Sequence, residues 1–162
     1  MIEKKLILGI DPGLGGALAL YDPAIQNLIE VYDMPVTRKN SYAKDKVDVH
    51  GLVSLIKMLE PRVLYSCLEN VHAMPNQGVV SMFSFGEGFG AIKGVLAAFN
   101  IKIVDIEPTV WKTTLNLSRD KSASLERAQS LWPDHAAKFK RKIDNGRAEA
   151  ALIAYFGARV FA

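Results

Sequence analysis

The stretch LILGIDPG, residues 6–13, decides the fold, because a short run of branched apolar residues stops at one carboxylate. Such a run, bounded by Pro12 and Gly13, predicts a buried strand that holds Asp11 at its carboxyl end. The sequence GGALALYD, residues 15–22, predicts a second strand paired antiparallel to the first. Glycines in the turn between them would let a ligand or metal approach the backbone beside Asp11.

A strand that ends in Asp-x-Gly before a glycine-rich hairpin is typical of two groups of proteins. In RNase-H-like nucleases the Asp binds metal, and in actin-like or sugar-kinase ATPases the hairpin holds phosphates. A third interpretation is a turn aspartate that accepts hydrogen bonds from local amides. The 162 residues suffice for one domain, residues 1–162, but not for the two that such ATPases close around a nucleotide. Length therefore argues against an ATPase.

Composition and charge limit the cellular location and the partners that we expect for this protein. No uninterrupted apolar run long enough to cross a bilayer and no signal-peptide pattern is evident, so we expect a cytoplasmic protein without a membrane partner. Cys67, the single cysteine, is interpreted as a buried thiol. The net charge of +3 is clustered near the end of the chain, in Lys138, Lys140, Arg141, Lys142 and Arg147, against Asp144. This patch predicts either contacts with a polyanion or a solvated surface turn.

The rest of the chain alternates predicted strands and helices. Periodicity and capping residues predict strands at 27–33, 62–69 and 102–106, a polar loop at 35–46, and helices at 49–59, 79–99, 123–132 and 146–161, with a short helix starting at Pro108. The strand at 62–69 also ends in a carboxylate, Glu69. Because the carboxyl ends of parallel strands share one sheet edge, Glu69 would meet Asp11 there, unless it is simply a surface acid.

The segment 79–99 is rich in glycine and alanine. Each glycine costs an isolated helix roughly 1 kcal/mol relative to alanine, so the composition indicates close packing. The partner is either the protein's own sheet or a second copy of the chain.

Four motifs, in this order, resemble the RuvC-type Holliday-junction resolvases: GIDPG at 9–13, LENV at 68–71, Pro108 followed by Lys112 and Lys121, and RAEAALIA at 147–154. The resemblance spans nearly the whole chain. The closing run is most similar to the bacteriophage and viral branch of that family.

The resemblance implies an α/β, RNase-H-like fold with a five-stranded mixed sheet flanked by helices. It also implies a homodimer that cuts four-way DNA junctions by paired nicks with Mg²⁺, for which Mn²⁺ would substitute. Asp11, Glu69 and Glu149 would be the metal ligands, and Lys112 and Lys121 would hold the scissile phosphate. Two metals about 4 Å apart stabilise the attacking water and the leaving oxygen of such a reaction. Mg²⁺ prefers carboxylate oxygens, in keeping with this choice.

The sequence departs from the family at one ligand. RuvC proteins usually carry a second acid three residues before the one matched by Glu149, but this chain has Gly146 there. On an ideal helix Asn145 would share the face of Glu149, whereas Asp144 would lie about 140° away. Either Asp144 reaches the metals from a non-helical lead-in, or Asn145 stands where the family has a carboxylate, as a natural or an engineered replacement.

DNA contacts follow from the same resemblance. His72 or Met74, in the loop after Glu69, would stack at the junction, although a hydrogen-bonded structural role suits His72 equally. The basic patch would contact phosphates, which position DNA without reading its sequence. Two further hypotheses stay open: an RNase-H-like nuclease acting on other branched DNA or RNA–DNA hybrids, and a non-catalytic junction-binding module, which Asn145 favours.

Overall fold

A five-stranded mixed sheet forms the centre of the molecule, with neighbouring strands in the order 27–33, 17–22, 6–11, 63–69 and 103–106. The computed structural model describes residues 5–37, 45–72, 76–118 and 120–161. The strands of the sheet are β1 (Leu6–Asp11), β2 (Ala17–Asp22), β3 (Asn27–Asp33), β6 (Val63–Glu69) and β7 (Ile103–Ile106). β1 pairs antiparallel with β2 and parallel with β6. The predicted five-stranded mixed sheet is therefore confirmed.

Helices cover both faces of this sheet. They are α1 (Val49–Leu59), α2 (Val79–Ala98), α3 (Pro108–Thr114), α4 (Lys121–Leu131) and α5 (Asn145–Phe161), with 3-10 turns at Glu60–Arg62, Pro133–Phe139 and Lys142–Asp144. Alternate residues of β1 point to opposite faces. Leu8 packs with residues of α1 and α2, whereas Ile7 packs with residues of α3, α4 and α5.

The segment predicted as a loop at 35–46 contains a small second sheet. β4 (Val36–Thr37) pairs antiparallel with β5 (Lys46–Val47), and residues 38–44 lie outside the described part of the chain. Two helix starts also differ from prediction. α4 begins at Lys121 because the Asp120 side chain accepts a hydrogen bond from the Ser122 amide. α5 begins one residue early, at Asn145, since a 3-10 turn leads directly into it.

α5 lies directly on the backbone of the first hairpin. A Cβ added to Gly9 would lie 2.1 Å from the Ala150 carbonyl oxygen, and one added to Gly146 would lie 2.0 Å from the Gly15 carbonyl oxygen. The close approach at Gly146 is thus between helix and hairpin, while Gly13, Gly15 and Gly16 also line a cleft beside Asp11, where the predicted approach of a ligand or metal stays open. This contact holds the start of α5 against the turn that follows Asp11.

Three of the four glycines of α2 face solvent, whereas Gly88 is buried against Val47. A Cβ added at Gly86, Gly90 or Gly94 would meet no atom within 4 Å, so these glycines do not serve packing on the protein's own sheet. Val79 and Phe83 on the same helix are 84% and 75% exposed. By length and composition alone α2 is long and apolar enough to cross a membrane, although Glu87 and Lys93 interrupt its apolar run. The composition that predicted close packing therefore belongs to an uncovered face.

Candidate active site

Two carboxylates lie side by side at the carboxyl edge of the sheet. Ile10 of β1 is paired with Leu68 of the parallel strand β6, so Asp11 and Glu69 follow at adjacent strand ends. Glu149, in the second turn of α5, is the third acid, and its negative charge acts on both of the others. The structure thus brings together Asp11, Glu69 and Glu149.

Asp11 is the most perturbed acid of this group. Burial, followed by the negative charges of Glu69 and Glu149, raises its pKa from 3.8 to about 7. The Gly13 amide, which donates a hydrogen bond to Asp11 Oδ1 at 3.3 Å, and the Lys112 ammonium offset only part of this increase in pKa. The cluster therefore holds more negative charge than its surroundings neutralise, and a cation would relieve it.

Glu69 is fixed in orientation by a tryptophan. The Trp111 Nε1–H donates to Glu69 Oε1 at 3.0 Å, and the tryptophan is completely buried. Burial raises the pKa of Glu69, and this hydrogen bond lowers it in part. Trp111 was not assigned to the site from the sequence. A signal was available, since Trp111 is the neighbour of Lys112 and a buried indole N–H needs a hydrogen-bond acceptor.

Glu149 accepts from two side chains. Lys112 Nζ lies 3.0 Å from Glu149 Oε1, and Ser124 Oγ donates to the same oxygen at 3.4 Å. The Lys112 ammonium also lies 5.1 Å from the centre of the Trp111 ring. Lys112 is therefore the internal positive charge of the acid cluster. Ser124 was not identified from the sequence.

A cleft of about 450 Å³ opens over these groups. Its polar lining comprises Asp11, Lys112, Ser118, Asp120, Ser124, Lys142, Asn145 and Glu149. The glycines of the first hairpin form one wall together with Gly146. Asn145 Oδ1 is buried and has no hydrogen-bond partner within the described residues.

Asp144, one of the predicted metal ligands, is engaged elsewhere. Its carboxylate accepts from the Arg141 backbone amide at 2.8 Å and from the Arg141 guanidinium at 2.8 Å, and Arg147 lies 3.5 Å away. The hydrogen bond from Arg141 holds the pKa of Asp144 below its usual value. Although Asp144 is only 2% exposed, it does not line the cleft. Asn145, and not Asp144, lines the cleft together with Asp11 and Glu149.

The donor set of the cleft suits a hard divalent cation. No three Asp, Glu, His or Cys side chains of the described residues lie close enough to enclose a metal ion, and Lys112 supplies the nearest positive charge. The chemistry of the donors nevertheless fits Mg²⁺, which binds carboxylate and amide oxygens. The raised pKa of Asp11 and the unpartnered oxygen of Asn145 are two independent signs of missing positive charge.

Ion pairs occupy most of the predicted basic patch. Lys138 pairs with Glu30, Arg147 binds Asp33 through two contacts of 2.6 Å, and Arg141 binds Asp144 as described above. Lys140 and Lys142 form no ion pair with the residues that the structure describes, and Lys142 lines the cleft of the acids. The cations free to meet a phosphate are thus fewer than the sequence suggested.

The loop after Glu69 borders a second cavity of about 800 Å³, which Phe85 and Pro108 also line. His72 is held at its edge, with Nε2 3.3 Å from Glu107 Oε2. Asn70 Nδ2 donates to the other Glu107 oxygen at 2.6 Å. His72 thus has a hydrogen-bonding partner within the protein, and its side chain is 64% exposed, so stacking of His72 at a junction stays a prediction. Met74 and the side chain of Lys121 lie outside the described residues.

Comparisons with known proteins show which sequences and structures this protein resembles. No family model matches the chain. The chloroplastic Holliday junction resolvase MOC1 of Chlamydomonas reinhardtii is 30% identical over 96 residues, which are 58% of this chain but 11% of that protein's length. Thermus thermophilus RuvC in complex with a Holliday junction substrate superposes with a TM-score of 0.69 at 15% identity, covering 97% of this chain and 96% of that one. A second T. thermophilus RuvC structure gives 0.56 at 16% identity, covering 95% of each chain. The chain has the RuvC-like RNase H fold.

Proposed function

We propose that the protein is a Mg²⁺-dependent, structure-specific endodeoxyribonuclease that resolves four-way DNA junctions by paired symmetric nicks. The observation that carries this proposal is the convergence of Asp11, Glu69 and Glu149 at the carboxyl edge of a RuvC-like sheet. The similarity to a chloroplast junction resolvase, and to a RuvC structure that contains a junction, favours this substrate.

The acids and lysines at and beside the cleft have roles in such a reaction. Asp11, Glu69 and Glu149 would hold Mg²⁺ or Mn²⁺, and Trp111 orients Glu69 toward that task. The bound metal supplies positive charge that stabilises the attacking and leaving oxygens of phosphodiester hydrolysis. Lys112, and Lys142 at the cleft wall, would neutralise the scissile phosphate.

The exposed face of α2 supports a homodimer. Its apolar residues, Val79, Val80 and Phe83, are at least 65% exposed, and a second copy of the same face would cover them. Ion pairs from Lys46 to Glu87 and from Lys93 to Asp105 hold α2 to the rest of the domain, which favours a protein partner over a bilayer. Two symmetric clefts would account for paired cuts. Membership of the phage and viral branch stays a prediction from the closing motif.

Two other functions are distinguished by experiment. A related nuclease with an RNA–DNA hybrid or another branched substrate would share the acids and differ in its loops. A non-catalytic junction-binding module is favoured by one observation, the amide of Asn145 in place of a carboxylate at the cleft.

The test uses a labelled synthetic four-way junction, a matched duplex and a matched RNA–DNA hybrid, each with and without Mg²⁺. We expect symmetric nicks in the junction alone, abolished by Asp11→Asn. Cleavage of the hybrid in preference to the junction would refute the proposed substrate. Tight junction binding without cleavage, in both the natural chain and Asn145→Asp, would refute the proposed activity in favour of the binding module.

A further inference from the structure

Asn145 carries a feature that the ion pairs and hydrogen bonds of the protein leave unexplained. Its Oδ1 atom is buried without a hydrogen-bond partner among the described residues, and the side chain lines the cleft with Asp11 and Glu149. Buried polar atoms in native proteins are nearly always paired with protein, water or an ion. The oxygen therefore points to a group that the protein itself does not provide.

Most neighbouring donors are committed to other acceptors, and Lys142, which also lines the cleft, donates no hydrogen bond to Asn145 Oδ1. Lys112 and Ser124 both contact Glu149, and Arg141 is bound to Asp144. Nor does Asn145 cap its helix: its backbone has helical angles, φ −56° and ψ −42°, and a 3-10 turn precedes it. Its side chain is therefore not needed for the local hydrogen bonding that usually retains an asparagine at a helix start.

The position of Asn145 on α5 matches that of a ligand. Residues four apart on a helix lie on the same face, so Asn145 stands one turn before Glu149 toward the same cleft. The helix itself is pressed against the first hairpin at Gly146, which fixes both side chains relative to Asp11. An amide oxygen held in this way is a suitable ligand for a hard cation.

We propose that Asn145 Oδ1 is the fourth protein oxygen of the metal site, a neutral donor beside the three carboxylates. This inference rests on the proposed metal-dependent function and assigns the ligand that sequence comparison left open between Asp144 and Asn145. A neutral ligand leaves the site with one negative charge fewer than four carboxylates would give. The protein then binds its metal more weakly, but is spared a fourth repelling charge when the metal is absent.

The experiment measures Mn²⁺ and Mg²⁺ binding by titration calorimetry, without DNA, in the natural chain and four variants. Asn145→Leu removes the oxygen at similar volume, Asn145→Asp adds a charge, Asp144→Asn is the neighbouring control, and Asp11→Asn tests the site as a whole. Thermal unfolding in EDTA verifies that each variant folds. Peptide mass mapping verifies that Asn145, which precedes a glycine, has remained an amide.

We expect Asn145→Leu to weaken Mn²⁺ binding by about tenfold or more and Asn145→Asp to strengthen it by a similar factor. In EDTA we expect the melting temperatures to follow the opposite order to the Mn²⁺ affinities. Asn145→Asp, the tighter binder, should then be less stable than Asn145→Leu. Asp144→Asn should leave the dissociation constant within about twofold of the natural value, since its carboxylate faces Arg141. If Asn145→Leu does not fold, Asn145→Asp still tests the proposal, because stronger Mn²⁺ binding and lower stability in EDTA are expected together in that variant.

Two results would overturn the assignment of Asn145 alone: unchanged binding in both Asn145 variants, or a loss in Asp144→Asn with none in Asn145→Leu. In both cases Asp11→Asn would still abolish binding. A natural chain that binds no metal, or an Asp11→Asn variant that binds as well as the natural chain, would instead overturn the metal site together with the fourth ligand. The Asp11 variant therefore separates the two failures.

Discussion

Replacing Asp11 by asparagine should stabilise the metal-free protein while abolishing its activity. The pKa of Asp11 is raised from 3.8 to about 7, chiefly by burial and then by Glu69 and Glu149. Between these two pH values the folded protein binds a proton that the unfolded chain has lost. The stability contributed by this group therefore falls as pH rises from about 4 to about 7, and stays low at higher pH.

The pKa difference corresponds to about 4 kcal/mol of lost stability above pH 7. An asparagine keeps the acceptor for the Gly13 amide but loses the attraction to Lys112, so we expect a net gain of about 2–3 kcal/mol at pH 8. In a domain of this size such a gain raises the melting temperature by roughly 4–12 °C. At pH 4 the gain should nearly disappear, because the unfolded aspartate then holds much of its proton too.

The assay is urea unfolding in EDTA at pH 4 and pH 8, followed by tryptophan fluorescence. Asp134→Asn, which removes an exposed acid, is the matched control and should change stability little at either pH. Adding Mg²⁺ at about 100 times its dissociation constant should stabilise the natural chain by about 2.7 kcal/mol and leave Asp11→Asn unchanged. An Asp11→Asn variant that is no more stable than the natural chain at pH 8, or equally stabilised at pH 4, would refute the reasoning.

Three further predictions concern the surroundings of the acids. Trp111→Phe removes the only hydrogen-bond donor described for Glu69. The variant should cleave the junction about 10–100-fold more slowly and bind it with unchanged affinity. An unchanged cleavage rate would exclude a positioning role for Trp111. If the protein forms the proposed homodimer, Phe83→Glu should convert it to a monomer in analytical ultracentrifugation with little change in melting temperature, and a persistent dimer would exclude α2 as the interface. Lys142→Ala should lower the salt dependence of junction binding, measured by fluorescence anisotropy, more than Lys138→Ala does, and equal effects would contradict the ion-pair assignment.

Predictions from the sequence were most accurate for features that backbone geometry determines. Asp11 and Glu69 each end an apolar run, and the parallel pairing of β1 with β6 carries both to one edge. The predicted start of α1 at residue 49 also follows from a local rule, because the Asp48 side chain accepts a hydrogen bond from the amide of Gly51, three residues on. These features depend on residues close in sequence or on a sheet edge that any parallel pair must share.

Contacts between distant segments were not readable in the same way. The basic patch was judged by its charges along the chain, but Lys138 and Arg147 find Glu30 and Asp33 on β3, more than 100 residues away. The choice between Asp144 and its neighbour depended on the 3-10 turn before α5, because that turn directs the Asp144 carboxylate to Arg141. Neither outcome follows from residue type or spacing.

The costly features of this protein are concentrated at the cleft. Elsewhere the buried carboxylates are matched, since Asp22 is paired with Lys5 and Asp144 with Arg141, although Arg127 Nε is buried without a partner among the described residues. At the cleft, the half-buried Asp11 and the buried Glu69 lie beside a third acid, with Lys112 as their principal positive charge. One amide oxygen there has no donor among the described residues. A sequence selected for stability alone would have replaced these groups with apolar residues. Their retention in one place is explained if a bound cation and the phosphate backbone it attracts supply the missing charge, so the instability of the metal-free site and the proposed nuclease activity have the same physical origin.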